Sequence, residues 1–304
     1  MSSSRKFRVA VVGLGGTLSD SVIKHLLSAG LIVTALTRDP ERYKQSFREP
    51  IKVIKASYDS IEALVPILEG QHAVVDLLAR DQWPISIRLI DAAIAAKVPH
   101  FIPSSFGIDM RLAAARNMPS LSGKAKLEDH ITAKGKEGAI TYTIIQTSMI
   151  FEWALSRSVF LPLEGGTAFF FDNGDVRVSA SLIDDIGKAV ASVLLVGPGS
   201  DAALNRVLLM HSTVFSLAQI LEYARIANPE KHWEVETLQT AAIWKRSWEA
   251  YGNGDRSPET MRGFLVAGSF GDGLARFDNV DNDILGIQMM SDDALKDAVA
   301  KYVV

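Results

Sequence analysis

The segment RVAVVGLGGTLSD, residues 8–20, carries an apolar run straight into three glycines. Gly13 and Gly16 take the first two places of a GxxGxx(G) turn, Gly15 adds freedom between them, and Ser19 stands where a last glycine would be. Where side chains are missing, backbone amides and the N-terminus of the next helix can approach a diphosphate. Gly13, Gly15, Gly16, Thr17 and Leu18 are therefore expected to bind a dinucleotide. The plainer alternative is a tight strand-to-helix corner without a ligand. Ser19 in the glycine place is expected to weaken close packing of the helix there.

A second group with definite chemistry lies in TALTRDP, residues 34–40. An acidic residue at this strand tip would favour a free ribose hydroxyl, whereas the fixed donor fork of Arg38 matches a ribose phosphate. Arg42 and Lys44 add positive field, and Asp39 beside Arg38 offers the competing role of a surface ion-pair partner. The expected cofactor is NADP(H) rather than NAD(H).

Other chemistries are excluded by what the chain lacks. With no cysteine, disulfides, thiolate nucleophiles and cysteine-ligated metals are ruled out, and the six histidines form neither an HExxH pattern nor a tight cluster, so no metal site is expected. A formal charge of -3 with both signs interspersed gives little attraction to phosphate backbones, and nucleic acid is not an expected partner. MSSSRKF passes directly into structured sequence with no apolar targeting core, and no stretch has the length of a membrane span. A cytoplasmic protein without a membrane partner is expected.

The elements that must hold these groups alternate along the first half. FRVAVVG, LIVTALTR, HAVVDLLA, VPHFIPSSFG and ITYTIIQTS read as strands, separated by helical patterns over LSDSVIKHLLSAG, IEALVPILEG, ISIRLIDAAIAAK and SGKAKLEDHITAKGKE. Apolar strands alternating with helices indicate an α/β fold with a Rossmann-like, mostly parallel sheet and right-handed crossovers. Residues 1–150 would form the main cofactor-binding domain. Residues 151–304 would form a smaller substrate-side α/β region, with segments near 175–215, the helix LIDDIGKAVASVLLVG and the strand ALNRVLLMH, returning to the first domain. The segment 251–273 has turn formers at both ends around an apolar middle and reads as a lid or a connection. The consecutive Phe169, Phe170 and Phe171 cannot all face one ligand from a strand. Trp244 and Trp248, four apart, share a helix face suited to core packing or a subunit contact.

GLGGTLS followed by LTRDP, IDAAIAAKVPHFIPSSFGID, GKAKLEDHI through ITYTIIQTS, and VSASLIDDIGKAV together resemble the isoflavone reductase-like, NmrA-like branch of atypical short-chain dehydrogenase/reductases. The resemblance covers most of the chain and implies NADP(H) binding and a small aromatic or otherwise conjugated substrate. The family's proline-serine-acid-phenylalanine-glycine loop appears as PSSFG, residues 103–107, with Ser105 in place of the acid. A carboxylate role at that position is not carried over, while Pro103, Ser104 and Phe106 still resemble the loop bordering cofactor and substrate. The family lysine matches Lys124, with Lys126 the alternative register, and the resemblance gives it the nicotinamide ribose or a proton to handle. Thr147, Ser148, Met149, Ile150 and Phe151 resemble the segment beneath the nicotinamide. From these two loops Phe106, Met149, Ile150, Phe151 and Trp153 are the expected substrate contacts.

An ammonium at the start of a helix can hydrogen-bond an oxygen, and its pKa falls in a dry pocket. A solvated lysine on a charged helix is the ordinary alternative. No YxxxK pair occurs, so the tyrosine-lysine apparatus of short-chain reductases is absent and Tyr142 reads as structural. The expected function is reduction of a conjugated carbonyl or alkene, with Lys124 and Ser104 as candidate catalytic groups. A non-catalytic NADP(H)-sensing regulator with a protein partner, and a non-redox isomerase or dehydratase, are the alternatives. A homodimer is compatible with either.

Overall fold

The computed structural model describes residues 7–43, 51–156, 166–196 and 203–303, and Lys44 falls outside them. The strands in chain order are β1 Arg8–Val12, β2 Ile32–Thr37, β3 Lys52–Lys55, β4 Ala73–Asp76, β5 His100–Ile102, β6 Thr141–Gln146, β7 Met149–Ile150, β8 Thr167–Phe171, β9 Val178–Ser181, β10 Arg206–Leu209, β11 Thr213–Phe215 and β12 Glu234–Leu238. The helices are α1 Ser19–Ser28, α2 Ile61–Leu68, α3 Trp83–Ala95, α4 Ala113–Arg116, α5 Ser122–Lys136, α6 Phe151–Ser156, α7 Ile183–Val196, α8 Leu217–Ala227, α9 Thr240–Gly252, α10 Pro258–Phe270, α11 Asn282–Leu285 and α12 Asp292–Ala300.

A seven-stranded parallel sheet in the order β10-β6-β5-β4-β1-β2-β3 forms the larger part. Both faces of β1 are buried, which explains its unbroken apolar run. Val9 and Val11 pack with the inner residues of α1 and α7, while Ala10 and Val12 pack with α2, α3 and α5. The chain returns late to this sheet, where β10 pairs with β6 and sets Leu208 opposite Ile145. Strand β3 gives no clear sequence signal because KVIK is short and lysine-bounded. It forms by pairing with β2, Ala35 opposite Val53, and its lysines suit an open edge.

Ser19 does not loosen the helix. Its fully buried hydroxyl accepts from the Gly15 amide at 3.2 Å and donates to the Gly16 carbonyl at 3.1 Å, tying the turn to the helix it opens. The close helix contact lies instead between α1 and α7, where a Cβ on Gly187 would stand 2.7 Å from the Ser21 backbone.

The later segments build a second core from β7, β8, β9 and β11 and from α6, α8, α9, α10 and α12. Within β8, Phe171 packs on Phe270 at 4.9 Å, whereas Phe170 turns the other way onto Gly174, as strand alternation requires. The segment 251–273 contains α10, whose N-cap Ser257 accepts from the Thr260 amide. Phe264 is buried there under Trp244 and Trp248, with ring centres 5.5 and 5.0 Å away. Gly263 and Gly268 inside α10 obscure its helical signal, and both lie where a neighbouring side chain leaves no room for a Cβ. Among the described residues, no helix is long and apolar enough to cross a membrane, and no three potential metal ligands cluster.

Candidate active site

Strand order reverses between β1 and β4, and in such sheets a crevice opens beyond the carboxyl ends of these two strands. The glycine turn fills one lip. Gly13 has φ +99°, and a Cβ on it would lie 2.6 Å from the carbonyl carbon and oxygen of Leu77. The tip of β1 therefore rests directly on the backbone leaving β4. Asp76 braces this second tip by accepting from the Leu78 amide at 2.9 Å, and complete burial raises its carboxyl pKa.

The three glycine positions have different requirements. Gly15, φ +78°, lies under Tyr43, whose hydroxyl donates to the Leu14 carbonyl at 3.2 Å. Gly16 has room for a Cβ at ordinary contact, the nearest atom being the Gly13 oxygen at 3.5 Å. Gly15, Gly16 and Thr17 are exposed, and Leu18 is the buried N-cap of α1. No side chain caps the first amides of this helix. A helix N-terminus without a side-chain cap, beside exposed glycines, is suited to an anion.

Arg38 stands exposed past the end of β2, and Arg42 lies with its guanidinium 5.6 Å from the Tyr43 ring centre. Nearby, burial pushes the Tyr58 phenol up to about 12 against the opposing charge of Arg38, while its hydroxyl donates to the Leu36 carbonyl at 2.9 Å. Tyr43 thus connects the basic end of β2 to the glycine turn.

From Leu77 the lip continues to Lys124 through a series of direct contacts. Ser104 donates its hydroxyl to the Leu78 carbonyl at 2.7 Å, drawing the loop after β5 onto the tip of β4. Pro103 is buried, and its carbonyl accepts from the Ser105 amide at 2.7 Å. Two residues on, the Phe106 carbonyl accepts from Lys124 Nζ at 2.9 Å. The ammonium passes over Gly107, where a Cβ would stand only 2.7 Å from Nζ. The Gly107 carbonyl in turn accepts from the Ser148 amide at 2.9 Å, and the Ser148 hydroxyl donates to Ala275 O at 2.7 Å.

Lys124 is 8% exposed, and burial lowers its pKa to about 8, with Glu128 opposing that fall and Arg80 adding to it. Lys126 is exposed, its Nζ 4.8 Å from the Trp83 ring centre on another side of α5. Glu128 and Gln146 were missed by the sequence reading, although the i, i+4 spacing from Lys124 was a usable signal for the first. Glu128 is buried and accepts from the Ser105 hydroxyl and, at 2.6 Å, from the Gln146 amide.

The residues after β6 diverge. Thr147 is fully buried and its carbonyl accepts from Ser181 Oγ at 2.8 Å. Ile150 packs on the core of the large sheet and Met149 on the second core. Phe151 is 1% exposed and meets Phe215 edge to face at 5.6 Å, whereas Trp153 is 44% exposed. Phe151 is thus enclosed within the second core. A cavity of about 440 Å³ opens between β8, α9 and α10 near Phe169, Phe171, Ser247 and Gly263, and none of the residues from the glycine turn to Lys124 lines it.

Residues 5–223 match the NmrA-like family model. The chain belongs to the NmrA-like family. It is 25% identical over 299 residues to the Aspergillus flavus protein named oxidoreductase aprR, covering 97% of this chain and 99% of that one. Among solved structures, the NADPH complex of leucoanthocyanidin reductase from Vitis vinifera has a TM-score of 0.77 at 17% identity, covering 97% of this NmrA-like chain and 99% of the reductase. The NADPH complex of a quinone oxidoreductase from Escherichia coli has a TM-score of 0.75 at 18% identity, covering 96% and 99%. At these identities the two structures establish a shared fold.

Proposed function

We propose that this NmrA-like protein is an NADPH-dependent oxidoreductase that reduces a small aromatic or conjugated carbonyl or alkene. The observation that carries this reading is the continuous lip at the strand ends, from the bare glycine turn through Leu77, Leu78 and Ser104 to the buried ammonium of Lys124. A dinucleotide laid along it would have its diphosphate at one end and its reactive end near the lysine. The oxidoreductase relative and the two NADPH-bound structures support the same assignment.

In this reading Gly16, Thr17 and the first amides of α1 receive the diphosphate, and Gly13 keeps the turn flat against Leu77. Arg38 takes the ribose phosphate, whose two free charges match its donor fork. NADPH, when bound, supplies the hydride. Ser104 holds the loop in position and keeps its oxygen lone pairs as acceptors. Lys124 handles the proton: its Nζ–H bond breaks as an O–H bond forms on a reduced acceptor, and the neutral amine regains a proton from solvent. Fixing that donor where negative charge develops lowers the barrier without reorganisation during reaction.

The test is calorimetric titration with NADPH and NADH, followed by absorbance at the reduced-cofactor band with aromatic enones, quinones and aldehydes. Tighter binding of NADPH than NADH and acceptor-dependent oxidation are expected. Binding without oxidation by any acceptor would reject the reductase reading, and no binding of either nucleotide would leave the glycine turn a structural corner.

A further inference from the structure

The buried carboxylate of Glu128 has no part in the scheme above, yet it lies one helical turn from Lys124 and is held from two other elements. Its Oε1 accepts both the Ser105 hydroxyl and the Gln146 amide, so two donors from the ends of β5 and β6 converge on one oxygen. Burial pushes the Glu128 carboxyl pKa up, and the two donors converging on one oxygen, together with Lys124, oppose that rise and favour the carboxylate. Ser105 is fully buried, and its small side chain leaves room for this carboxylate. Among the described residues no cation stands at salt-bridge distance from Glu128, and a buried anion is costly unless a nearby positive charge offsets it.

We infer that Glu128 is a positioning residue for Lys124: clamped by Ser105 and Gln146, its carboxylate keeps the lysine charged and holds it against the Phe106 carbonyl. The inference rests on the reading of Lys124 as the proton-handling group. The surrounding charges show why Lys124 depends on this residue. Lys124 faces Glu128 from its own helix and Arg80 from the connection after β4, and of these only Glu128 favours the ammonium. Glu128 itself faces Lys124 and Arg116, and it interacts with Arg111 across the loop after β5. The two arginines already have acidic partners, Arg116 with Asp129 at 2.6 Å and Arg111 with Asp109 at 2.8 Å. Lys124 instead donates to a neutral carbonyl, that of Phe106.

A consequence follows for the protein without any nucleotide. Removing the Glu128 charge while keeping its shape leaves burial and Arg80 acting together, so the neutral amine becomes favoured at lower pH. The experiment is an NMR titration of cofactor-free protein labelled with ε-13C lysine, the Lys124 signal being assigned by its loss in Lys124→Arg. In the native protein the Lys124 midpoint is expected at about 8. In Glu128→Gln it is expected to fall by about one unit, and an unchanged midpoint overturns the inference. Glu128→Asp keeps the charge but shortens the arm beyond reach of Ser105 and Gln146, so its midpoint should lie between the other two. Should Glu128→Gln fail to fold, Glu128→Asp decides, and a midpoint equal to that of the native protein overturns the inference. A shifted midpoint in a protein that fails to oxidise NADPH with any of the acceptors supports the pairing of Glu128 with Lys124 and rejects only the reductase reading.

Discussion

The two ends of the lip are built on opposite principles. The glycine turn is backbone shape: Gly13 lies against the Leu77 backbone, Gly15 lies under Tyr43, and no side chain caps the amides that open α1. The lysine end is side-chain charge: an ammonium and a carboxylate on α5 are buried and satisfied by groups from the loop after β5 and from the end of β6. Shape of the first kind is set within a few consecutive residues. Charge of the second kind has meaning only after distant segments pack and exclude water, because burial is what moves the pKa.

Substitutions separate these principles. The largest effect is expected at the charged end. Lys124→Ala should lower turnover with a competent acceptor by roughly 10²- to 10⁴-fold while NADPH affinity changes little, as calorimetry and steady-state rates would show. A parallel loss of affinity would mean that both ends bind cofactor in the same way and would erase the contrast. At the shape-determined end, Gly13→Ala puts a side chain into the Leu77 backbone at positive φ, and a stability loss of about 3 kcal/mol or more in urea unfolding is expected.

Acid tests the sheet that carries both ends. His100 begins β5, at the opposite edge from the lip, and burial lowers its pKa from 6.5 to about 4. The unfolded chain therefore binds the proton more readily than the folded one between these values. Stability from this group is complete above pH 6.5 and falls as pH drops towards 4, by of order 3 kcal/mol in all. Unfolding curves over that range should flatten in His100→Gln. The smallest structural effect is expected for Gly16→Ala, where a Cβ meets only ordinary contact. Thermal stability should stay within about 0.5 kcal/mol while NADPH binding weakens, since the added methyl narrows the turn proposed to receive the diphosphate. A large stability loss there would make Gly16, like Gly13, a residue of the fold.

Much of this was legible in the chain because the signals are local. The apolar runs of β1, β2 and β4 and the helices between them follow from periodicity, and the glycines announce a turn without ligand or partner. Other elements failed to show because their cause is remote. Strand β3 exists through β2, and α10 is concealed by Gly263 and Gly268, which are there to admit Ser247 and Met118. Phe151 looked like a pocket residue from its place after β6, but its direction was decided by Phe215, 64 positions away.

The sequence by itself determined the alternation of strand and helix, the strand-to-helix glycine turn and the basic end of β2, since each depends on neighbours along the chain. Only the tertiary structure decided that Lys124 rather than Lys126 is enclosed, that Ser19 braces the turn, and that Glu128 lies between Ser105 and Gln146. The physical reason is that backbone conformation is chosen by adjacent residues, whereas the state of a charge is chosen by everything that displaces water around it.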